Sequence, residues 1–223
     1  MKNATDITIV LDRSGSMQSR INEVISGFNE FLRSQKEDKS TEATLSLIQF
    51  DSGYYDTRRT GIEAFSNVNI HDVAELNNGQ YTSGGMTALN DAIGRTIDNL
   101  GGRLASMKES DRPNKVLLIV YTDGCENASK EYTLTRINEM IKHQTTKYNW
   151  EIQFIGSTLE AQAQVNLYET PTYGKMDLGQ ASNTVNAFAG VSKSVHKARV
   201  STCATSYKTQ LENDAKRGVD AFN

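Results

Sequence analysis

The sequence predicts an α/β fold with a doubly wound, mostly parallel central sheet, one short antiparallel edge strand and helices on both faces. Apolar segments of strand length alternate along the 223-residue chain with segments whose apolar residues recur at helical spacing. The strongest strand segments, 6–12 and 114–124, are nearly continuous apolar runs, which is typical of strands buried on both faces. Such alternation favours right-handed crossovers and a parallel sheet.

The first half of the chain begins with the strand "DITIVLD" at 6–12, and apolar residues at helical spacing from Met17 to Leu32 then predict a helix. The next strand is "ATLSLIQF" at 43–50. The short, glycine-bounded segment "GYYDTRRTG" at 53–61 is interpreted as an edge strand that pairs with its predecessor. After an irregular stretch, the apolar spacing from Ala88 to Leu104 predicts a long helix.

The second half repeats the alternation. The predicted elements are a strand at 114–124, a helix around 134–141, a strand at 150–156, a short helix at 159–169, a weak strand at 173–178 and a last helix at 182–199. The chain contains two prolines and no low-complexity segment that would serve as a linker. We therefore expect a single domain over 1–207, followed by a polar C-terminal tail at 208–223.

Charge and hydropathy exclude some kinds of binding partner and indicate the cellular location of the protein. The net charge of −3 provides no basic surface for nucleic acid or an anionic membrane. No stretch approaches about 18 consecutive apolar residues, so membrane insertion is not expected. The chain starts without an apolar leader, which predicts a cytoplasmic protein. Cys125 and Cys203 stand far apart and form neither a disulfide framework nor a metal-binding pair.

Oxygen-bearing side chains gather where predicted strands end. Asp12 leaves the first strand at its carboxyl end, and Asp123 follows the carboxyl end of the strand at 115–121, the apolar centre of the 114–124 segment. Ligands of doubly wound sheets bind beyond the carboxyl ends of the strands, where the strand order reverses. If the two strands are neighbours, both carboxylates meet there, together with Ser14 and Ser16.

A fifth oxygen donor comes from the segment "TSGGMTALNDAI" at 82–93. Thr87 could act as the N-cap of the long helix, but that helix leads directly into the 115–121 strand. Its N-terminus is therefore expected at the same edge of the sheet. Carboxylates and hydroxyls are hard oxygen donors that suit Mg²⁺, Mn²⁺ or Ca²⁺ rather than zinc or copper. An open coordination position would accept a carboxylate from another molecule.

This constellation resembles the von Willebrand factor A domain with its metal-ion-dependent adhesion site. The family's Asp-x-Ser-x-Ser motif is matched by Asp12, Ser14 and Ser16, its distant threonine by Thr87 and its distant aspartate by Asp123. The resemblance covers roughly 4–200. It implies that the serines and Thr87 bind the metal directly or nearly so, and that the two aspartates act through water. The segment "FIGSTLEAQAQV" is also similar to stand-alone bacterial and phage-encoded members.

Other interpretations of the motif fit less well. Asp12 alone could cap a helix. Ser14 as a nucleophile would need a G-x-S-x-G elbow and a positioned base, and neither is recognisable in the sequence. A haloacid-dehalogenase-type phosphotransferase would have a second aspartate where Ser14 stands. No phosphate-binding glycine motif occurs either.

The sequence thus predicts a divalent-metal-dependent protein-binding module, not an enzyme, whose cation is completed by an aspartate or glutamate of a protein partner. The loops 51–61, 77–86 and 125–132 would set specificity. An accessory subunit that docks onto an ATPase or another machine is the first alternative. A metal-dependent phosphohydrolase is the second, weakened by the lack of a general base beyond the metal's own carboxylates.

Overall fold

A computed structural model describes residues 2–58, 62–170, 175–177 and 184–201. The strands are β1 (Lys2–Asp12), β2 (Glu42–Phe50), β3 (Tyr54–Tyr55), β4 (Phe65–Asn69), β5 (Pro113–Thr122), β6 (Glu151–Gly156) and β7 (Lys175–Asp177). The helices are α1 (Ile21–Glu37), α2 (Leu89–Ser106), α3 (Leu134–Lys147), α4 (Leu159–Asn166) and α5 (Thr184–Val200). A 3₁₀ turn over Gly15–Arg20 links β1 to α1.

The strands form one mixed sheet in the order β3-β2-β1-β5-β6-β7, and β4 also pairs with β2. The pairs β1–β2, β1–β5, β5–β6 and β6–β7 are parallel, whereas β3 and β4 run antiparallel to β2. From β1 the chain first extends the sheet on one side and later, from β5, on the other. The order therefore reverses between β1 and β5, and the predicted doubly wound, mostly parallel fold is confirmed.

Helices cover both faces of the sheet, because alternate residues of each strand point to opposite faces. In β1, Ile7 and Leu11 pack in the core beneath α1 and α5, whereas Val10 packs in the core beneath α2 and α3. Helices α1 and α5 lie very close together. A Cβ placed on Gly27 of α1 would lie 2.5 Å from the ring of Phe188 in α5.

Three local features differ from the predictions. The predicted edge strand at 53–61 is an ordered strand only over β3, and its residues 59–61 lie outside the described residues. Strand β4 was not predicted, because its sequence "FSNVN" leaves its side chains exposed or half-buried and shows no apolar alternation. Helix α1 begins at Ile21 rather than near Met17, since the 3₁₀ turn comes first.

The C-terminal predictions fall partly beyond the described residues. The weak strand near 173–178 is β7, and the last helix is α5. Residues 171–174, 178–183 and 202–223 are not described, so the domain boundary at 207 and the polar tail at 208–223 stay predictions. In the described part of the chain, no helix has the length and apolar character needed to cross a membrane.

Candidate metal centre

The reversal of strand order places two carboxylates side by side. Strand β1 ends at Asp12, and its parallel neighbour β5 ends at Thr122, directly before Asp123. The Thr122 hydroxyl donates a 2.6 Å hydrogen bond to Oδ2 of Asp12. Both aspartates are buried, with exposed fractions of 0% for Asp12 and 6% for Asp123.

The two serines connect these carboxylates through a short chain of oxygen atoms. The backbone N–H of Ser14 donates to Oδ1 of Asp12 at 2.8 Å. The Oγ atoms of Ser14 and Ser16 are 3.1 Å apart, and Ser16 Oγ donates to Oδ1 of Asp123 at 2.5 Å. The predicted Asp-x-Ser-x-Ser segment therefore wraps around one point instead of capping α1, which begins further along the chain.

Thr87 reaches the same point from the α2 side. It does not cap α2, because the N-cap residue is Ala88 and makes no side-chain cap bond. The Thr87 backbone N–H donates to Oδ1 of Asn127 at 2.8 Å, and its carbonyl accepts the Asn127 N–H at 3.0 Å. A Cβ on Gly124 would lie 3.6 Å from Ser16 Oγ and 3.7 Å from Thr87 Oγ1, so the two hydroxyls flank one space. We call Asp12, Ser14, Ser16, Thr87 and Asp123 the oxygen cluster.

An arginine inside the serine motif fastens the loops around the cluster. Arg13 donates from Nε to the Thr82 carbonyl at 2.7 Å and forms a buried ion pair with Asp51. The backbone N–H of Gly15 donates to the carbonyl of Gly85 at 3.0 Å. The sequence analysis missed the pair of Arg13 and Asp51. The position of Arg13, a charged residue directly after a buried strand, could have indicated that it pairs with a carboxylate.

The electrostatics of the site favour a cation. Burial raises the pKa of Asp12 to about 6, the hydrogen bond from Thr122 opposes that rise, and the charge of Asp123 adds to it. Burial also raises the pKa of Asp123. Among the described residues, the cation that pairs with one of these two carboxylates is Arg20, missed in the sequence, whose Nε lies 3.8 Å from Oδ2 of Asp123. One guanidinium beside two buried carboxylates leaves a negative charge that a bound cation would balance.

The donor set fits a hard divalent cation. Two carboxylates and three hydroxyls supply only oxygen, which suits Mg²⁺, Mn²⁺ and Ca²⁺. Across the described ranges, no group of three or more His, Cys, Asp and Glu side chains is placed to hold a metal ion. A metal site in this region would therefore depend on the hydroxyls of Ser14, Ser16 and Thr87 as much as on the aspartates.

Solved structures share this fold at low sequence identity. The pilus adhesin SpaC from Lactobacillus rhamnosus GG is 15% identical with a TM-score of 0.60, and the match covers 87% of this chain and 30% of SpaC. The PilB minor pilin from Streptococcus sanguinis is 11% identical with a TM-score of 0.58, over 87% of this chain and 62% of PilB. The von Willebrand factor type A protein from Catenulispora acidiphila is 12% identical with a TM-score of 0.52, over 85% and 42%.

The chain thus spans less than two thirds of the length of these proteins. No curated protein matches the sequence significantly. The family model of the von Willebrand factor type A domain matches residues 6–169, which include all five residues of the oxygen cluster and strands β1 to β6 except the first residues of β1. The chain therefore belongs to the von Willebrand factor type A domain family.

Proposed function

We propose that this protein is a divalent-metal-dependent protein-binding module and not an enzyme. The oxygen cluster would hold Mg²⁺, or Mn²⁺ or Ca²⁺, and an aspartate or glutamate of a protein partner would complete the coordination. The observation that carries the proposal is the convergence of two buried carboxylates and three hydroxyls from three separate segments of the chain at the reversal of strand order.

The exposure of the cluster suits a site that a partner must reach. Asp12 is fully buried, whereas Ser16 is exposed. A cation between them would have its buried side neutralised by Asp12 and Asp123 and its outer side open to solvent. When bound, the metal supplies a positive charge that attracts a carboxylate. The chain's own task is to orient the hydroxyls and keep the open position on the surface.

Exposed apolar side chains flank the cluster and suggest what surrounds the partner's carboxylate. Met86 precedes Thr87 and is 53% exposed, and Leu159 is 78% exposed. Leu159 follows Thr158, whose hydroxyl donates to the Asp123 carbonyl at 2.8 Å. Because exposed apolar groups near a polar anchor contribute to interfaces, the proposed partner presents apolar side chains beside its acidic residue.

Metal titration tests the first half of the proposal. Saturating Mg²⁺, Mn²⁺ or Ca²⁺ should raise the unfolding temperature of the wild type, since a ligand that binds only the folded state stabilises it. Asp12→Ala should abolish that rise, and the matched control Asp72→Ala, at an exposed position on the 3₁₀ turn Ile70–Asp72, should retain it. The metal site would be refuted if none of the three ions shifted the wild-type midpoint.

Capture of a partner tests the second half. The wild type should retain an acidic partner from an extract of its source in the presence of Mg²⁺ and lose it with EDTA. The double change Met86→Ser and Leu159→Ser should weaken capture without altering the metal-induced stabilisation. Capture that survives both EDTA and Asp123→Ala contradicts the carboxylate bridge. Hydrolysis of phosphate esters that Asp12→Ala abolishes would assign the site to an enzyme instead.

A further inference from the structure

Helix α2 begins without a cap of its own, and side chains of another segment bind its first N–H groups. The first N–H groups of a helix have no partner within the helix, and the N-cap residue Ala88 makes no side-chain cap bond. Two side chains of the segment between β5 and α3, which we call the β5–α3 loop, bind two of these groups. The N–H of Asn90 donates to Oε2 of Glu126 at 2.7 Å. The N–H of Asp91 donates to Oγ of Ser129 at 2.9 Å. The β5–α3 loop therefore caps α2 from outside the helix.

We infer that Asn127 of this loop is a positioning residue of the proposed metal centre and acts on it through Thr87. Asn127 contacts the backbone of Thr87 on both sides of its Cα atom. Its Oδ1 accepts the Thr87 N–H at 2.8 Å, and its own N–H donates to the Thr87 carbonyl at 3.0 Å. Two bonds to one residue fix its backbone, and the branched Cβ of threonine then restricts the direction of the hydroxyl. The inference rests on the proposed metal-dependent function, because it concerns how tightly the oxygen cluster holds its cation.

The β5–α3 loop is itself held in place by two carboxylates. Glu126 accepts two backbone N–H groups further along the loop, at 2.9 and 2.7 Å. Asp91, in the first turn of α2, accepts three more from residues 130–132, at 2.9 Å each. Because these carboxylates anchor the loop independently of the Asn127 side chain, loss of that side chain should leave the rest of the loop in place.

The N–H of Thr87 depends on this asparagine. Thr87 is 3% exposed, and its N–H has Oδ1 of Asn127 as its partner. A buried N–H that loses its partner costs free energy, so the backbone is expected to shift towards another acceptor or towards water. Asn127 itself is exposed, so removal of its side chain opens no cavity. The expected consequence of such a removal is a misdirected Thr87 hydroxyl and not a damaged core.

A double-mutant cycle between Asn127 and Thr87 tests the inference. Asn127→Ala should weaken Mn²⁺ binding by about tenfold, which is typical of residues that orient metal ligands. Thr87→Ala removes the hydroxyl but keeps the backbone groups that Asn127 binds, and it should weaken binding as well. In the Thr87→Ala background, Asn127→Ala should change the affinity by less than about twofold, because the hydroxyl through which Asn127 acts is gone. Calorimetric titration of the whole 223-residue chain measures all four affinities.

Two further variants separate positioning from general stability. Thr133→Ala removes a comparable bond, the 3.2 Å hydrogen bond that the Thr133 hydroxyl accepts from the Arg136 N–H at the start of α3. It should lower the unfolding temperature to a similar extent as Asn127→Ala but leave the Mn²⁺ affinity unchanged. Asn127→Asp keeps an oxygen that accepts the Thr87 N–H and should restore the Mn²⁺ affinity at least to the wild-type value. The same change in the Thr87→Ala background measures the effect of the added charge alone.

The titrations distinguish this inference from the proposed function. The inference alone is overturned if the wild type binds Mn²⁺ and Asn127→Ala binds it equally tightly, or if Asn127→Ala lowers the affinity equally in both backgrounds. It is also overturned if Asn127→Asp fails to restore the affinity that Asn127→Ala loses, because the hydrogen bond to Thr87 is then not the cause. If the wild type binds no divalent cation, the inference and the proposed function are overturned together.

Discussion

The hydroxyl of Ser16 donates a 2.5 Å hydrogen bond to Asp123, although 107 positions separate the two residues. Ser16 lies on the turn after β1, and Asp123 follows β5 directly. The contact exists because β1 and β5 are parallel neighbours whose carboxyl ends coincide. It joins the serine motif to the distant aspartate and shapes the oxygen cluster before any partner arrives.

Asp123→Asn tests whether the charge or only the hydrogen bond of this residue matters. Asparagine keeps an oxygen that can accept the bond from Ser16 but removes the negative charge. We expect Mn²⁺ affinity to fall by about 10- to 100-fold, since a nearby carboxylate contributes Coulomb attraction or orients bound water. Calorimetric titration measures the affinity, and Asp111→Asn, at an exposed turn, provides the matched control. A change of less than twofold would assign Asp123 a purely structural role.

The sequence predicted the membership of the oxygen cluster more easily than its supports. Asp12, Ser14 and Ser16 lie at alternate positions of one five-residue segment, and the order of strands and helices directs Asp123 to the same edge. Arg20 and Arg13 escaped prediction because long, flexible side chains reach partners that only the folded backbone brings near. The local pattern of apolar residues predicts the strands and helices that carry the cluster. The contacts of Arg13 and Arg20, in contrast, depend on how distant segments meet in the folded chain.

Backbone geometry in the loop before α2 yields a second prediction. Gly85 adopts a φ of +75°, and a Cβ there would lie 3.2 Å from Ser52 Oγ and 3.3 Å from Asp51. Gly85→Ala should therefore cost about 1–2 kcal/mol in the free energy of unfolding. It should also weaken metal binding, because the Gly85 carbonyl holds the N–H of Gly15 in the serine loop.

The neighbouring glycine supplies the control for this change. A Cβ on Gly84 would meet nothing within 4 Å, and the residue has no left-handed φ. Gly84→Ala should leave both the urea midpoint and the metal affinity near wild type. If both substitutions lower the urea midpoint and the metal affinity equally, or if neither does, Gly85 has no specific role in the loop.

The close contact of α1 with α5 yields a third prediction. Gly27→Ala would bring a Cβ to 2.5 Å from the ring of Phe188, which is buried and stacks on Tyr121. Overpacking of this kind costs about 1–3 kcal/mol, more than the gain in helix propensity of about 1 kcal/mol. Urea unfolding should show net destabilisation. Gly102→Ala in α2, where the Cβ meets open space, should instead stabilise the protein by about 0.5–1 kcal/mol.

The strands of the sheet also differ in how well the sequence predicts them. Strands β1 and β5 were predicted because continuous apolar runs encode burial on both faces. Strand β4 was not, since its side chains lie exposed or half-buried and only Phe65 and Val68 of its five residues pack against the core. A short strand at a sheet edge that contributes so few apolar side chains leaves little trace in the side-chain pattern.

The loop after α1 yields a prediction of pH-dependent stability. Burial acts to raise the pKa of Asp38, but hydrogen bonds from Ser40 and Thr41 and the charge of Arg199 outweigh it and hold the pKa at about 2. Arg199 is almost completely buried, and its Nη2 lies 3.4 Å from Oδ2 of Asp38. The ionised carboxylate therefore stabilises the folded state by balancing a buried cation.

Asp38→Asn should cost roughly 1–3 kcal/mol in the free energy of unfolding at pH 7. Because the folded-state pKa lies below the ordinary value of 3.8, this contribution is complete above about pH 4–5 and disappears as the pH falls towards 2. Urea unfolding from pH 7 to pH 2.5 measures the free energy of unfolding of wild type and variant. The difference between the two free energies should decrease below about pH 4–5. Asp72→Asn, at an exposed position, should show a small difference at every pH. If the free energy of unfolding of Asp38→Asn stays below that of the wild type by the same amount down to pH 2.5, the loss comes from packing and not from the charge beside Arg199.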